Sequence, residues 1–224
     1  MTQQAAATDT ARYPFGDELA SSILHGIGIV LSIVGLVLLV TLAAVHGHAR
    51  AVVSCAVFGS TLVLLYTAST LYHAIPLQRL RPILRRIDHI AIFILIAGTY
   101  TPFTLLALPG AWGWSLFTAI WVLALAGSVL ELGLVHLPRR VAALLYVAMG
   151  WVGVVAIEPL YHHLQAGGLV LLLAGGVAYT LGVPFYLYKR MPYHHTVWHA
   201  FVLAGSVLHY LAVLLYVLPG SVSG

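Results

Sequence analysis

Long apolar runs, each ended by a short polar or turn-like stretch, make up most of the 224-residue chain. A helix that crosses a bilayer core needs about 20 mostly apolar residues. Seven such runs can be marked, at 20–44, 51–73, 88–108, 112–134, 140–160, 167–188 and 195–217. The breaks between them have local causes. "HGHAR" (46–50) and "PLQRLRPILRR" (76–86) are polar or proline-bearing, and "KRMPYH" (189–194) joins charge to proline. "LPG" (108–110), "HLPRR" (136–140) and "HHLQAGG" (162–168) are turn-like. The fifth run is the weakest, because Glu158 and Pro159 sit at its end. The pattern predicts an all-α integral membrane protein, a seven-helix transmembrane bundle over residues 18–219. A polar, alanine-rich segment, 1–17, reads as disordered, and a short tail, 220–224, follows the bundle. No cleavable leader is expected, since the first apolar run is itself long enough to span.

Composition agrees with that reading. Hydrophobic residues form 61% of the chain and charged residues only 7%, where a soluble domain carries about 25% charged. Too few charges remain to cover a water-facing surface. The net charge of +4 is small, and no basic patch is interleaved with aromatics in a soluble segment, so a nucleic-acid partner is not expected. The single cysteine, Cys55, excludes an intramolecular disulfide and any cysteine-rich metal site. Basic residues also orient membrane helices. With seven spans, nine of the ten fall on the side of the N-terminus: Arg12, Arg79, Arg81, Arg85, Arg86, Arg139, Arg140, Lys189 and Arg190. Arg50 alone falls opposite. The asymmetry predicts a cytoplasmic N-terminus and an external C-terminus.

Orientation gives the histidines a common depth. His73 ends the second run, Asp88 heads the third, and His195 and His199 head the seventh, so three distant stretches meet at the cytoplasmic level. His195 and His199 are four apart and share one helix face, as do Ser69 and His73. His194 points about 140° away from His199 and is left out. His73, His195 and His199 supply three imidazoles, and three neutral imidazoles with an open fourth position are the catalytic zinc arrangement. With no thiolate to hand, Zn²⁺ is the default metal, with Fe²⁺ and Mn²⁺ as alternatives. No carboxylate lies between His195 and His199, so the base must come from elsewhere, and Asp88 is the candidate. An aspartate near a bilayer costs roughly 2.5–3.5 kcal/mol at mid-depth and less near the interface. A metal-activated water is one partner for it. Helix capping, with ion pairing to Arg85 or Arg86, is an equally supported alternative. For Ser69 the competing reading is a hydroxyl bonded back to its own helix.

Further polar residues join the same level or look onto it. Glu18 and His25 are seven apart, two turns on one face, and read as a cavity floor or a cap. Ser206 and His209 lie near the His195/His199 face, His209 within about 60° of it and roughly 15 Å further along the helix. Both can line a cavity rising from the site, although His209 bonded to a neighbouring helix is as well supported. Glu131 can pair with Arg139 or Arg140, and Pro102 and Pro184 are expected to kink their helices. A rival metal site, from His46, His48, His162 and His163 on the external side, has nothing to fix its geometry.

"STLYH" (69–73), "RRIDHIAIFILIAGTYTPF" (85–103) and "HHTVWH" (194–199), with Glu18 and His25 before them, together resemble the hemolysin III family. That family is the bacterial branch of the progestin and adipoQ receptor proteins, in a superfamily with the alkaline ceramidases. The resemblance implies a multi-pass protein of the bacterial cytoplasmic membrane with a zinc ion near the cytoplasmic face. His73, His195 and His199 would ligate it, Asp88 would hold the zinc-bound water, and Ser69 would sit beside the site. It implies hydrolysis of a lipid amide or ester, with a membrane lipid or fatty-acyl substrate. Ser21 departs from the pattern, since relatives often carry asparagine there. The leading expectation is therefore a zinc-dependent membrane hydrolase. A membrane-state sensor with structural zinc is the alternative. A pore or transporter ranks last, for want of a charge ring or inverted repeat.

Overall fold

The computed structural model describes residues 14–134 and 138–222. The expected disorder of 1–17 and the charge of Arg12 fall largely or wholly outside those residues. Seven helices are long and apolar enough to cross a membrane: α1 (Phe15–His46), α2 (Ala49–Ala74), α3 (Arg81–Ala107), α4 (Gly110–Leu132), α5 (Arg139–His163), α6 (Ala166–Leu187) and α7 (His194–Ser221). Among the described residues there is no strand. α1 packs between α2 and α7, α2 against α3, α3 against α4, and α6 along α7, while α5 lies against α3, α4 and α6. The connections α2–α3, α4–α5 and α6–α7 therefore share one end of the bundle, referred to below as the basic end.

The helices are amphipathic in the sense that a bilayer requires. α1 turns Leu19, Ile23, Ile27, Val30, Val34 and Val37 outward and buries Glu18, Ser21, His25, Gly28, Ser32 and Gly35. The 3.6-residue repeat separates the two sets, but the polar set faces in, because lipid is the outer solvent. Interior hydroxyls bond to the preceding turn of their own helix, as in Ser32 to Gly28 O (2.7 Å) and Thr99 to Leu95 O (2.9 Å). Small residues set the helix spacing. A Cβ at Gly98 would collide with the Thr61 side chain, so glycine there allows α2 and α3 to close up.

Two helix starts differ from the sequence expectation. α1 begins at Phe15, so Asp17 and Glu18 occupy its first turn, where carboxylates oppose the positive end of the helix dipole. α3 begins at Arg81 rather than 88. Pro82 lies in the opening turn, where its missing N–H breaks no hydrogen bond, so the proline starts this helix instead of interrupting the chain. Asp88 is consequently the eighth residue of α3, beyond the first turn, and capping no longer accounts for it.

Pro102 is followed by a wide turn over Phe103–Ala107. α5 has a break that hydropathy does not show: a tighter 3₁₀ turn at Val152–Ala156. The Tyr100 hydroxyl, from α3, fills it by donating to Gly150 O (2.6 Å) and accepting from Gly153 N (2.7 Å). Backbone groups freed by a break must find such partners inside a membrane. Tyr100→Phe is expected to lower unfolding stability in detergent by about 1–3 kcal/mol. Tyr161→Phe, at a site 69% exposed, is expected to shift it by less than about 0.5 kcal/mol. Equal midpoints for both variants would contradict the assignment.

Candidate metal centre

Four helices place polar side chains at one level near the basic end. α2 contributes Ser69 and His73, α3 Asp88, α7 His195 and His199, and α1 Glu18 and His25; all seven are buried. His195 and His199 stand one turn apart with ring centroids 4.4 Å apart, and the His73 ring is 5.0 Å from each. Nε2 of His73 and Nε2 of His199 are 3.0 Å apart. One ring nitrogen from each of the three falls within 4.8 Å of the other two. These three imidazoles could hold one metal ion, and among the described residues they form the only such group. His48 instead caps α2, accepting from Ala51 N, and His163 Nδ1 donates to Pro159 O (2.8 Å); the histidines at the opposite end of the bundle form no second cluster among the described residues.

The chemistry of the donor set fits a metal. The Glu18 carboxylate accepts from His73 Nδ1 (2.7 Å) and, through its other oxygen, from Arg81 (2.7 Å). A carboxylate behind an imidazole fixes its tautomer and turns the opposite nitrogen toward the ion. Arg81 also donates to the Tyr72 hydroxyl (3.2 Å) and stacks on that ring, 4.6 Å from its centre. Sequence reading gave Glu18 as part of a cavity floor or a cap, and Arg81 as a loop residue. The structure puts Glu18 behind His73, off the cavity. The Glu18-to-His25 spacing marked the right face of α1 but could not name the partner, which lies 55 positions away.

A second carboxylate fixes α7. Tyr193 precedes α7 in a left-handed conformation (φ 54°) and offers no side-chain cap. Asp17 of α1 does so from outside, accepting from Thr196 N (3.0 Å) and from Thr196 Oγ1 (2.5 Å). Ser21 adds a hydrogen bond with the same hydroxyl (3.1 Å). The serine that departs from the family pattern thus still ties α1 to α7. His194, facing away as expected, reaches Phe185 O (3.0 Å) and pins α7 to the end of α6.

The cluster opens on a cavity of about 130 Å³. Ser69, Asp88, His25, His195 and His199 line its polar end, and Ile92, Leu95, Val183 and Val202 its walls. The Ser69 hydroxyl is buried and lies beside the Asp88 carboxylate. His209 lines the far part, donates Nδ1–H to Gly205 O (2.8 Å) and stacks on Tyr179 at 5.4 Å. Ser206, expected on the cavity, is turned to the Tyr179 hydroxyl instead (2.9 Å). A second, apolar cavity of about 70 Å³ adjoins the first and shares Tyr100, Trp151 and His209 with it. His89 pairs with Glu131 at 3.3 Å, an interaction the sequence reading did not propose.

Fold and site together define a multi-pass membrane protein with a buried histidine cluster facing an internal cavity. The chain belongs to the hemolysin III family: residues 14–210 match the family described as haemolysin-III related. It is 45% identical to Hemolysin-3 of Bacillus cereus over 203 residues, covering 91% of this chain and 93% of that protein. It is 44% identical to the Hemolysin-3 homolog of Bacillus subtilis (strain 168) over 200 residues, covering 89% and 94%. The human monocyte to macrophage differentiation factor is 28% identical over 169 residues, covering 71% and 68%.

Two carboxylates can be tested separately. Asp17→Ala should cost about 0.5–2 kcal/mol of stability, as lost caps do, and Asp17→Asn should recover most of it. Glu18→Gln should lower stability, since Arg81 stays buried, and in the folded protein weaken divalent-metal binding about tenfold, read as metal retained after dialysis against graded chelator. Unchanged retention would remove Glu18 from any role behind His73.

Proposed function

We propose that the chain is a zinc-dependent hydrolase of a lipid amide or ester, working at the cytoplasmic side of the bacterial cytoplasmic membrane. One observation carries the reading: three buried imidazoles form a group with no fourth ligating side chain among the described residues, and two of them, His195 and His199, face a largely apolar cavity that Asp88 and Ser69 also line. Catalytic zinc sites keep three protein ligands and one open position, whereas structural sites are closed. His73, His195 and His199 would hold the ion. Bound there, zinc supplies Lewis-acid polarisation of a carbonyl and activation of water.

The chain's own groups supply the rest. Asp88 lies on the cavity wall without being part of the histidine group, which suits a proton acceptor better than a ligand. Ser69 Oγ, beside Asp88 on the cavity, donates to the oxygen on which charge develops. The aliphatic wall beyond takes the acyl chain and excludes water. Glu18 and Arg81 keep His73 oriented. The basic residues gathered at this end support a cytoplasmic placement. The relatives' name, Hemolysin-3, points to membrane lysis, but the buried charged side chains, Asp17, Glu18, Arg81 and Asp88, gather at one end rather than lining a path across the bundle.

Purified protein in lipid nanodiscs should bind about one zinc per chain and release fatty acid from an acyl amide or ester lipid. Asp88→Asn should keep the zinc and lower kcat at least about 100-fold. His199→Ala should lose both zinc and turnover. Turnover untouched by His199→Ala would overturn the proposal, and a full complement of zinc with no product from any acyl lipid would leave the centre structural.

A further inference from the structure

His25 is 1% exposed, lies between α2 and α7, and packs its ring 3.9 Å from that of His199 and 5.0 Å from that of Tyr66. Neither of its ring nitrogens bonds to another side chain among the described residues. It is not part of the three-histidine group, so the site does not use it as a fourth ligand in this geometry. It lines the cavity alongside Ser69 and Asp88. Buried polar atoms are nearly always partnered, and leaving one unmade is costly. A core histidine kept only for packing would be better replaced by leucine or phenylalanine.

A neutral imidazole offers one donor and one acceptor. The complementary ligand group is one that also accepts and donates at short range, which means a hydroxyl or an amide N–H beside its carbonyl. We propose that His25 is the specificity-determining residue of this cavity, reading a hydrogen-bond donor on the polar head of an acyl lipid next to its carbonyl. The inference rests on the acyl-lipid reading above and narrows it: amides and hydroxylated lipids fit, while esters without a donor near the carbonyl do not. The selectivity arises because a lipid lacking the donor would leave the imidazole acceptor buried and unpaired, and sites built to hydrogen-bond a ligand group discriminate strongly against its absence.

Binding rather than turnover tests this, so that failure of the hydrolase reading is separable. The full chain in nanodiscs would be titrated with N-palmitoylethanolamine and with its N-methyl, O-methyl counterpart, which keeps the chain and carbonyl but has no donor. The wild type should prefer the first by about tenfold or more. His25→Phe, close in volume, should bring the two affinities within about twofold, with zinc content unchanged. His25→Gln, which restores a donor and an acceptor, should recover part of the preference and serves if the phenylalanine variant fails to fold. Equal binding of the two lipids by the wild type, preference retained in His25→Phe, or loss of zinc from either variant would each overturn the proposal. Preference lost on substitution, in a protein that releases no fatty acid, would support His25 as reader and refute the hydrolase.

Discussion

A carboxylate taken out of water needs charged or hydrogen-bonding partners, and Glu18 finds them on two other helices. It is 1% exposed and joined to His73 of α2 and Arg81 of α3. Removing one partner from such a buried set costs about 3–5 kcal/mol, because the remaining charge stays buried and uncompensated. The penalty acts as a constraint on assembly: α1, α2 and α3 are held to the one register in which all three groups meet. One residue earlier on α1, Asp17 does the same for α7 through Thr196. The spacing between His73 and the His195/His199 pair thus follows from two adjacent carboxylates on a helix that contributes none of the three clustered imidazoles.

That arrangement separates the interior into a polar level and an apolar depth. Near the basic end the buried groups are His, Asp, Glu, Arg and Ser; further in, the cavity walls are aliphatic and aromatic until His209. His209 donates Nδ1–H within α7, and Gly175 of α6 makes room for it, since a Cβ there would collide with the imidazole. Lipid outside and an apolar cavity inside give α5 and α6 two hydrophobic surroundings, which is why their patterns look nearly uniform in sequence although their faces differ. The polar contact of Tyr100 at the break in α5 sits where the two cavities adjoin.

Hydropathy made the seven spans legible, and the four-residue spacings made His195/His199 and Ser69/His73 legible, because both depend on a single helix. What lay between helices was not readable. Glu18 could be placed on a face but not opposite His73, since nothing local encodes which helix α1 meets. Pro82 misled in a specific way: read as a break, it turned Arg81 into a loop charge and put Asp88 at a helix head, where the dipole would have explained it. Seen as a first-turn proline, it draws Arg81 into the buried network and moves Asp88 two turns deep. The break in α5 had a signal, the glycines at 150 and 153, but glycine is common in membrane helices and does not mark a break by itself.

The carboxylate behind His73 also settles which nitrogens can face the centre. Glu18 accepts from the Arg81 guanidinium, so it is ionised and can only accept from His73, whose Nδ1 must then carry the proton. A metal ligand must be neutral, and with His73 in that state Nε2 is left with its lone pair, aimed at Nε2 of His199 3.0 Å away. Two lone pairs would repel at that distance, so His199 holds its proton on Nε2 when the two rings bond directly. A cation placed between them needs both lone pairs, and the His199 proton must then move to Nδ1, which is buried with no hydrogen-bond partner among the described residues. His73 is therefore preset for a metal by its second-layer carboxylate, while His199 must change tautomer to accept one. The two imidazoles that face each other across the cluster are unequal for a reason that begins on α1.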